Sequence, residues 1–189
     1  GNNRQDFGVD PSDATNCCII WSLNAAWSQP NRHLNFMKHK ERGCKFIIVD
    51  PRITPTVTSL ADIHLQPRPG TDGALALGFI NLLIQEDLYD HDFVENWTHG
   101  FDELKELAAE YTPEKVEEIT WVPAETLRAA VEMATQNTPT TLQSSSAGIT
   151  HTTNAGHAQR AVFMIPALLG QVDVKGGMWF GMPALPIAG

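Results

Sequence analysis

The stretch Cys17-Cys18-Ile19-Ile20-Trp21, read together with Phe46-Ile47-Ile48-Val49, decides the architecture of this chain. Each is a continuous apolar run, short for a helix and without the polar alternation of a strand that has one wet face. Both read as strands buried on both sides. Between them, Ser22 to Pro30 is a polar loop, and Asn31 is placed to cap a helix through His33, Phe36, Met37 and Lys40 that Gly43 stops. Strand, loop, helix, strand at this length is a βαβ unit, and the right-handed crossover makes its two strands parallel.

Working outward, Asp50 to Ser59 is rich in Pro and Thr and reads as a loop, and Ile63-His64-Leu65 as a short strand. Asp72 is placed to cap a helix from Ala74 to Leu88, whose Leu75, Phe79, Leu82 and Leu83 fall on one stripe. Residues 90–136 read as helical throughout, with Asp90, Asp102, Thr112-Pro113 and Pro123 standing at helix starts. Thr140 to Gln143 is a strand, Ser144 to Ala147 its loop, and a last helix runs from Asn154 to Leu169, with Pro166 expected to bend it. The alternation predicts the α/β class: an open, mostly parallel, Rossmann-like sheet with helices on both faces and a helical stretch at 90–136.

Composition narrows the function. A length of 189 residues is enough for one compact domain and not comfortably two. The net charge of -9, from 13 Lys+Arg against 22 Asp+Glu, repels phosphate backbones and speaks against nucleic acid as a partner. An anionic ligand must then be held locally, by backbone amides and a few side chains. The three cysteines, Cys17, Cys18 and Cys44, form no C-x-x-C spacing, which excludes a zinc or iron–sulfur cluster made by this segment alone. They read as small buried residues. No apolar run approaches the ~20 residues of a membrane span, so no membrane contact is expected of this segment. Gly1 to Phe7 lack an apolar signal core, and the sequence leaves cytoplasmic and exported settings both open.

In an open parallel sheet, ligands bind beyond the carboxyl ends of the strands. Three loops fall there, Ser22–Pro30, Asp50–Ser59 and Ser144–Thr153, and Gln66–Asp72 joins them because it ends at a helix N-terminus, which favours an anion. No G-x-G-x-x-G follows the first strand, and no G-x-x-x-x-G-K-[ST], H-E-x-x-H or G-x-S-x-G occurs. The chain lacks an evident nucleophile–base pair, and no residue within it is singled out as catalytic or metal-ligating. Of the seven histidines, only His151, just after Gly148, is a functional candidate.

Four strings carry the identification: Trp21 to Pro30 (WSLNAAWSQP), Val49 to Thr54 (VDPRIT), Ala61 to Asp72 (ADIHLQPRPGTD), and Ala147 to His151 (AGITH) leading towards Leu168-Leu169-Gly170-Gln171-Val172. Together they resemble the third domain of the dimethyl sulfoxide reductase family of molybdopterin oxidoreductases, whose pattern runs W-G-x-N-P, D-P-R-x-T, A-D with P-G-T-D, then a G-x-T-Q-like turn. The resemblance spans about Asn16 to Gly177. It implies that residues 1–189 are a single α/β domain, cut from a longer oxidoreductase, that binds a molybdopterin guanine dinucleotide of a bis-molybdopterin cofactor carrying molybdenum or tungsten.

By that resemblance Ser22, Asn24 and Trp27, then Asp50, Pro51, Arg52 and Thr54, then Gln66, Gly70, Thr71 and Asp72 hold the nucleotide end of the cofactor. Gly148 and His151 match the turn that touches the second pterin. The residue chemistry agrees: carboxylates at Asp50 and Asp72 can accept from ribose hydroxyls or guanine N–H groups, Arg52 can neutralise pyrophosphate, and Gly70 admits a close backbone approach. Three positions depart from the pattern, with Ser22 where the family often has Gly, Ala25 where it often has Pro, and His151 where many members have Gln. The implied partners are the remaining domains of the parent enzyme, which supply the metal ligand and any iron–sulfur cluster, and an iron–sulfur electron-transfer subunit. The segment alone is expected to be inactive. The competing reading is a molybdenum-free scaffold domain of an electron-transfer subunit; the retention of Asn24, Asp50, Arg52 and Asp72 argues against it. The four strings do not look like a thiamine diphosphate enzyme, the third alternative.

Overall fold

The central strand carries its burial pattern into the whole fold. In a computed structural model that describes residues 8–9 and 14–179, β2 (Cys17–Trp21) is buried along its full length and lies between β3 (Lys45–Val49) and β5 (Thr140–Ser144). With β4 (Ile63–Leu65) beyond β3, the order is β4-β3-β2-β5, and all three pairings are parallel. Ile19 stands opposite Ile47 on one side and Leu142 on the other. A separate two-stranded antiparallel ribbon joins β1 (Gly8–Val9) to β6 (Met178–Trp179).

Because side chains alternate across a strand, β2 feeds two cores. Cys17, Ile19 and Trp21 join Ile47, Val49 and Leu142 in one, under α4 (Asp72–Gln85), α8 (Ala124–Gln136) and α10 (Ala155–Leu168). Cys18 and Ile20 join Phe46 and Ile48 in the other, under α1 (Ala25–Ser28), α2 (Pro30–Glu41) and α3 (Pro55–Leu60). Helices thus cover both faces, as expected. Each fully buried aliphatic side chain here contributes about 1.5–3 kcal/mol relative to exposure. Residues 90–136 hold α5 (His91–Trp97), α6 (Phe101–Ala109), α7 (Pro113–Thr120) and α8, and no strand, which bears out the helical reading. Asp90 and Thr112 cap α5 and α7 through their side chains, accepting from the amides of Phe93 and Lys115.

Three segments read as loops contain short helices. The Ser22–Pro30 stretch holds α1, and α2 begins at Pro30 with Gln29 before it, so Asn31 lies inside the helix instead of capping it. The Asp50–Ser59 stretch holds α3, whose start is a Thr-Pro cap: the Thr54 hydroxyl accepts from the Val57 amide and Pro55 takes the first position. After β5, α9 (Ser146–Thr150) occupies what reads as loop. Asp72 opens α4 from within its first turn, with Thr71 at the cap position, and the helix ends at Gln85, short of Leu88. Pro166 stands inside α10.

The cysteines are free and buried. Burial pushes the Cys17 thiol up to about 12 and the Cys44 thiol up to about 11, and raises Cys18 well above the ordinary range; the neighbouring thiol adds to this at Cys17 and Cys18. The folded state therefore keeps all three protonated. Their contribution to stability is intact below pH 9, where the unfolded thiols begin to ionise, and is lost as pH rises towards 11 to 12. Maleimide at pH 8 is expected to leave all three thiols unlabelled until urea unfolds the chain, and the urea midpoint to fall between pH 9 and pH 10. Fast labelling of the native chain would contradict this burial.

Candidate functional site

Parallel pairing brings the carboxyl ends of all four strands to one edge of the sheet, and every residue expected at the site follows one of those ends. Chain connectivity adds a direction. From β2 the chain moves to β3 and β4 on one side, then returns to β5 on the other. The chain direction switches between β2 and β5, the kind of point at which open parallel sheets bind ligands.

Ser22 sits at that switch. Its φ is +55°, in the left-handed region that costs a side-chain-bearing residue about 1 kcal/mol or more and that glycine adopts freely. The Ser22 amide donates to the Val49 carbonyl at 2.8 Å, and across the switch the Ser145 amide donates to the Trp21 carbonyl at 3.1 Å. Gly148 of α9 lies against Ser22 so closely that a Cβ there would stand 2.5 Å from Ser22 Cβ and 2.9 Å from its carbonyl oxygen. Gly148 is therefore a packing residue that lets the two loops meet.

Asp72 is drawn into the same place. It is buried, and its Oδ1 accepts from the Trp21 indole Nε1–H at 2.8 Å and from the Ser22 hydroxyl at 3.5 Å. Its position in the first turn of α4 favours a negative charge. Oδ2 has no hydrogen-bond partner among the described residues. Before α4, Gly70 adopts φ +85°, and the Thr71 hydroxyl donates to the Arg68 carbonyl at 2.7 Å, closing the turn.

A second group forms after β3. Asp50 is buried, and its Oδ1 accepts from the Arg52 amide at 2.8 Å, again leaving Oδ2 without a partner among the described residues. His64 Nε2 lies 2.8 Å from the Asp50 carbonyl oxygen, and Gln66 Nε2 donates to the Pro51 carbonyl at 2.9 Å, so the loops after β3 and β4 are tied together. The Arg52 guanidinium is exposed and makes no ion pair among the described residues, so it is not the brace of a buried salt bridge. Asp62, by contrast, is a brace: it accepts from the Phe46 amide and pairs with Lys40 at 2.7 Å.

Asn24 belongs to a third group. Its Oδ1 accepts from the Thr56 hydroxyl at 2.8 Å, while its Nδ2 is buried without a partner among the described residues. Thr54 is buried as the cap of α3; Trp27, on α1, is 71% exposed, and His151 is exposed at the end of α9. Three contributors lie outside the sequence-derived set: Trp21, His64 and Thr56. Trp21 opens the W-G-x-N-P-like string without a role being assigned to it, and nothing in the spacing marks His64 or Thr56; each acts through a partner distant in sequence. Beside Gly70 and Thr71 a groove of about 510 Å³ opens between α4, α6 and α10, with Arg68, His157 and Arg160 on its walls and no carboxylate among its lining residues. Among the described residues no cluster of three or more His, Cys, Asp or Glu could hold a metal ion, and no helix is long and apolar enough to cross a membrane.

Comparison with known proteins adds the following. A family described as Molybdopterin oxidoreductase matches residues 3–189. Acetylene hydratase of Syntrophotalea acetylenica is 44% identical over 129 residues, covering 68% of this chain and 18% of the relative. Formate dehydrogenase H of Escherichia coli is 35% identical over 136 residues, covering 72% of this chain and 19% of the relative. The dimethyl sulfoxide/trimethylamine N-oxide reductase of Rhodobacter capsulatus is 36% identical over 147 residues, covering 73% and 17% respectively. Among solved structures, acetylene hydratase from Pelobacter acetylenicus superimposes with a TM-score of 0.81 at 38% identity, over 91% of this chain and 24% of that one. The chain thus spans about a fifth of the length of these relatives.

Proposed function

Since the chain belongs to the molybdopterin oxidoreductase family, whose members here are molybdenum or tungsten enzymes of the dimethyl sulfoxide reductase type, we propose a specific role for it. Residues 1–189 form one domain of a larger oxidoreductase and hold the guanine-nucleotide end of a molybdopterin guanine dinucleotide. The observation that carries this reading is the Asn24 amide. A buried N–H donor with no partner costs about 1–3 kcal/mol, and this one lies in the loop that leaves the central strand at the switch point. A ligand oxygen removes that cost.

The rest of the edge fits the same group. Asp50 and Asp72 each keep one carboxylate oxygen unpaired among the described residues, suited to ribose hydroxyls or to the N–H donors of guanine. Arg52, exposed on the neighbouring loop, is placed to offset pyrophosphate charge. Ser22, Gln66, Gly70 and Thr71 shape the loops around it, and Gly148 and His151 face the second pterin from α9. Thr54 and Pro51 act by holding backbone, and Trp27 offers an exposed indole face. When bound, the cofactor supplies the chemistry at its metal; this chain binds, orients and shields its nucleotide end. The metal ligand, the substrate funnel and any iron–sulfur cluster belong, on this reading, to the other domains of the parent or to an electron-transfer subunit.

Acid hydrolysis of the purified parent enzyme is expected to release about two equivalents of GMP per molybdenum or tungsten, one from each dinucleotide, and Asp50→Ala to lower the GMP recovered per chain through loss of a charged hydrogen bond. Metal and pterin without GMP would refute the guanine assignment.

A further inference from the structure

Thr56 reaches the candidate site only through Asn24, and its hydroxyl decides which way the Asn24 amide points. The carboxamide of Asn24 has an acceptor end and a donor end of nearly the same shape, and a half-turn exchanges them. Thr56 is fully buried, at 0% exposure, in the first turn of α3. The Ala26 amide donates to its hydroxyl oxygen at 3.0 Å. One lone pair is thereby occupied, and the hydroxyl proton still needs an acceptor, which is Asn24 Oδ1 at 2.8 Å.

Turning the Asn24 amide over would let Nδ2 donate to Thr56 but would strand both the Thr56 proton and Asn24 Oδ1. Two buried groups would then be unpaired instead of one. The observed arrangement is therefore the favoured one before any ligand arrives, and it leaves Nδ2 as the single buried atom of the pair with unmet demand. Asn24 follows β2 and Thr56 follows β3, so the contact also joins two of the loops that meet at the strand ends.

We propose that Thr56 is a positioning residue that holds the Asn24 side chain with its N–H₂ group presented to an acceptor oxygen of the bound cofactor. The proposal rests on the reading that Asn24 contacts that cofactor. Its consequence is selectivity: the site takes an oxygen acceptor at this point and rejects a donor. The hydroxyl, not the bulk of the threonine, does this.

The test uses the purified parent enzyme, with pterin and GMP retained per chain after gel filtration as the readout. Thr56→Val keeps the shape and removes the proton, and is expected to lower retention about tenfold, as loss of one oriented hydrogen bond implies. Thr56→Ser is expected to restore it. Placed on an Asn24→Ala background, Thr56→Val is expected to add no further loss, because the amide it aims is gone. Asn24→Asp keeps the acceptor and removes the donor without touching Thr56, so it tests the orientation even where Thr56→Val fails to fold; retention is expected to drop as in Asn24→Ala. Wild-type retention in Thr56→Val, or in Asn24→Asp, or full additivity in the double variant, overturns the proposal while leaving Asn24→Ala to report on the cofactor reading. Wild-type retention in Asn24→Ala itself removes Asn24 from the site and overturns both.

Discussion

Replacing Asp72 by alanine is expected to unsettle the domain and empty its site together. The Trp21 indole N–H is buried and donates to Asp72 Oδ1 at 2.8 Å. Alanine leaves that donor unpaired, a cost of about 1–3 kcal/mol, to which the loss of a carboxylate in the first turn of α4 adds up to about 1 kcal/mol. The second effect concerns Oδ2. A charged hydrogen bond to the nucleotide of about 1.5–3 kcal/mol corresponds to a loss in retention of roughly 10- to 150-fold. Asp72→Asn separates the two, because its carbonyl oxygen still accepts from Trp21 while its amide offers no negative charge. We expect Asn to restore most of the urea midpoint and little of the metal and pterin content of the parent enzyme. An Asp72→Ala parent with wild-type cofactor content after dilution would remove Asp72 from the site. An unchanged urea midpoint would remove the Trp21 contact from the account of stability.

The other large effect is at Gly148. An added Cβ stands 2.5 Å from Ser22 Cβ and 2.9 Å from the Ser22 carbonyl oxygen, separations that force one loop to move. Gly148→Ala is expected to cost about 1–3 kcal/mol, the range for overpacking a close contact. Ser22→Gly removes two of the three nearest atoms and also relieves the φ of +55°. The pair Ser22→Gly and Gly148→Ala should therefore be less damaged than the sum of the single variants, a coupling that a double-mutant cycle in urea measures directly. Strict additivity would mean that α9 moves away and the contact carries no energy.

Much of the fold was legible because its governing signal is local. Five consecutive apolar residues at 17–21 can only be buried on both faces, and the parallel sheet with two cores follows from that. The three short helices were not legible in the same way. α1 and α9 have four and five residues, too few to show a helical period, and in α3 the apolar Val57 and Leu60 are set among Pro, Thr and Ser, a loop composition. Their tertiary surroundings fix them, with α1 packed on α2 and α3, α9 on α10, and α3 on β3 behind its Thr54-Pro55 cap. At the site, the expected residues are gathered at the strand ends because the loops carrying them had to follow strands. The assisting groups were hidden for the opposite reason: Trp21 reads as one more core residue, and Thr56 as one more loop threonine, until the fold puts Asp72 and Asn24 beside them.

The strand order also sets a schedule for synthesis. β2 pairs with β3 after a short crossover, Cys17 against Lys45, but its other neighbour is β5, where Cys17 stands against Thr140. Pairings between residues far apart in the chain carry a larger loop-closure cost and form late. On a ribosome the first half of the sheet can assemble while α4 to α8 are still being made, whereas the switch point between β2 and β5 has only one side until β5 and α9 emerge. This edge is thus completed late, ahead of only α10 and β6, and on the proposed reading a nucleotide that needs both sides can be loaded only after translation has passed them.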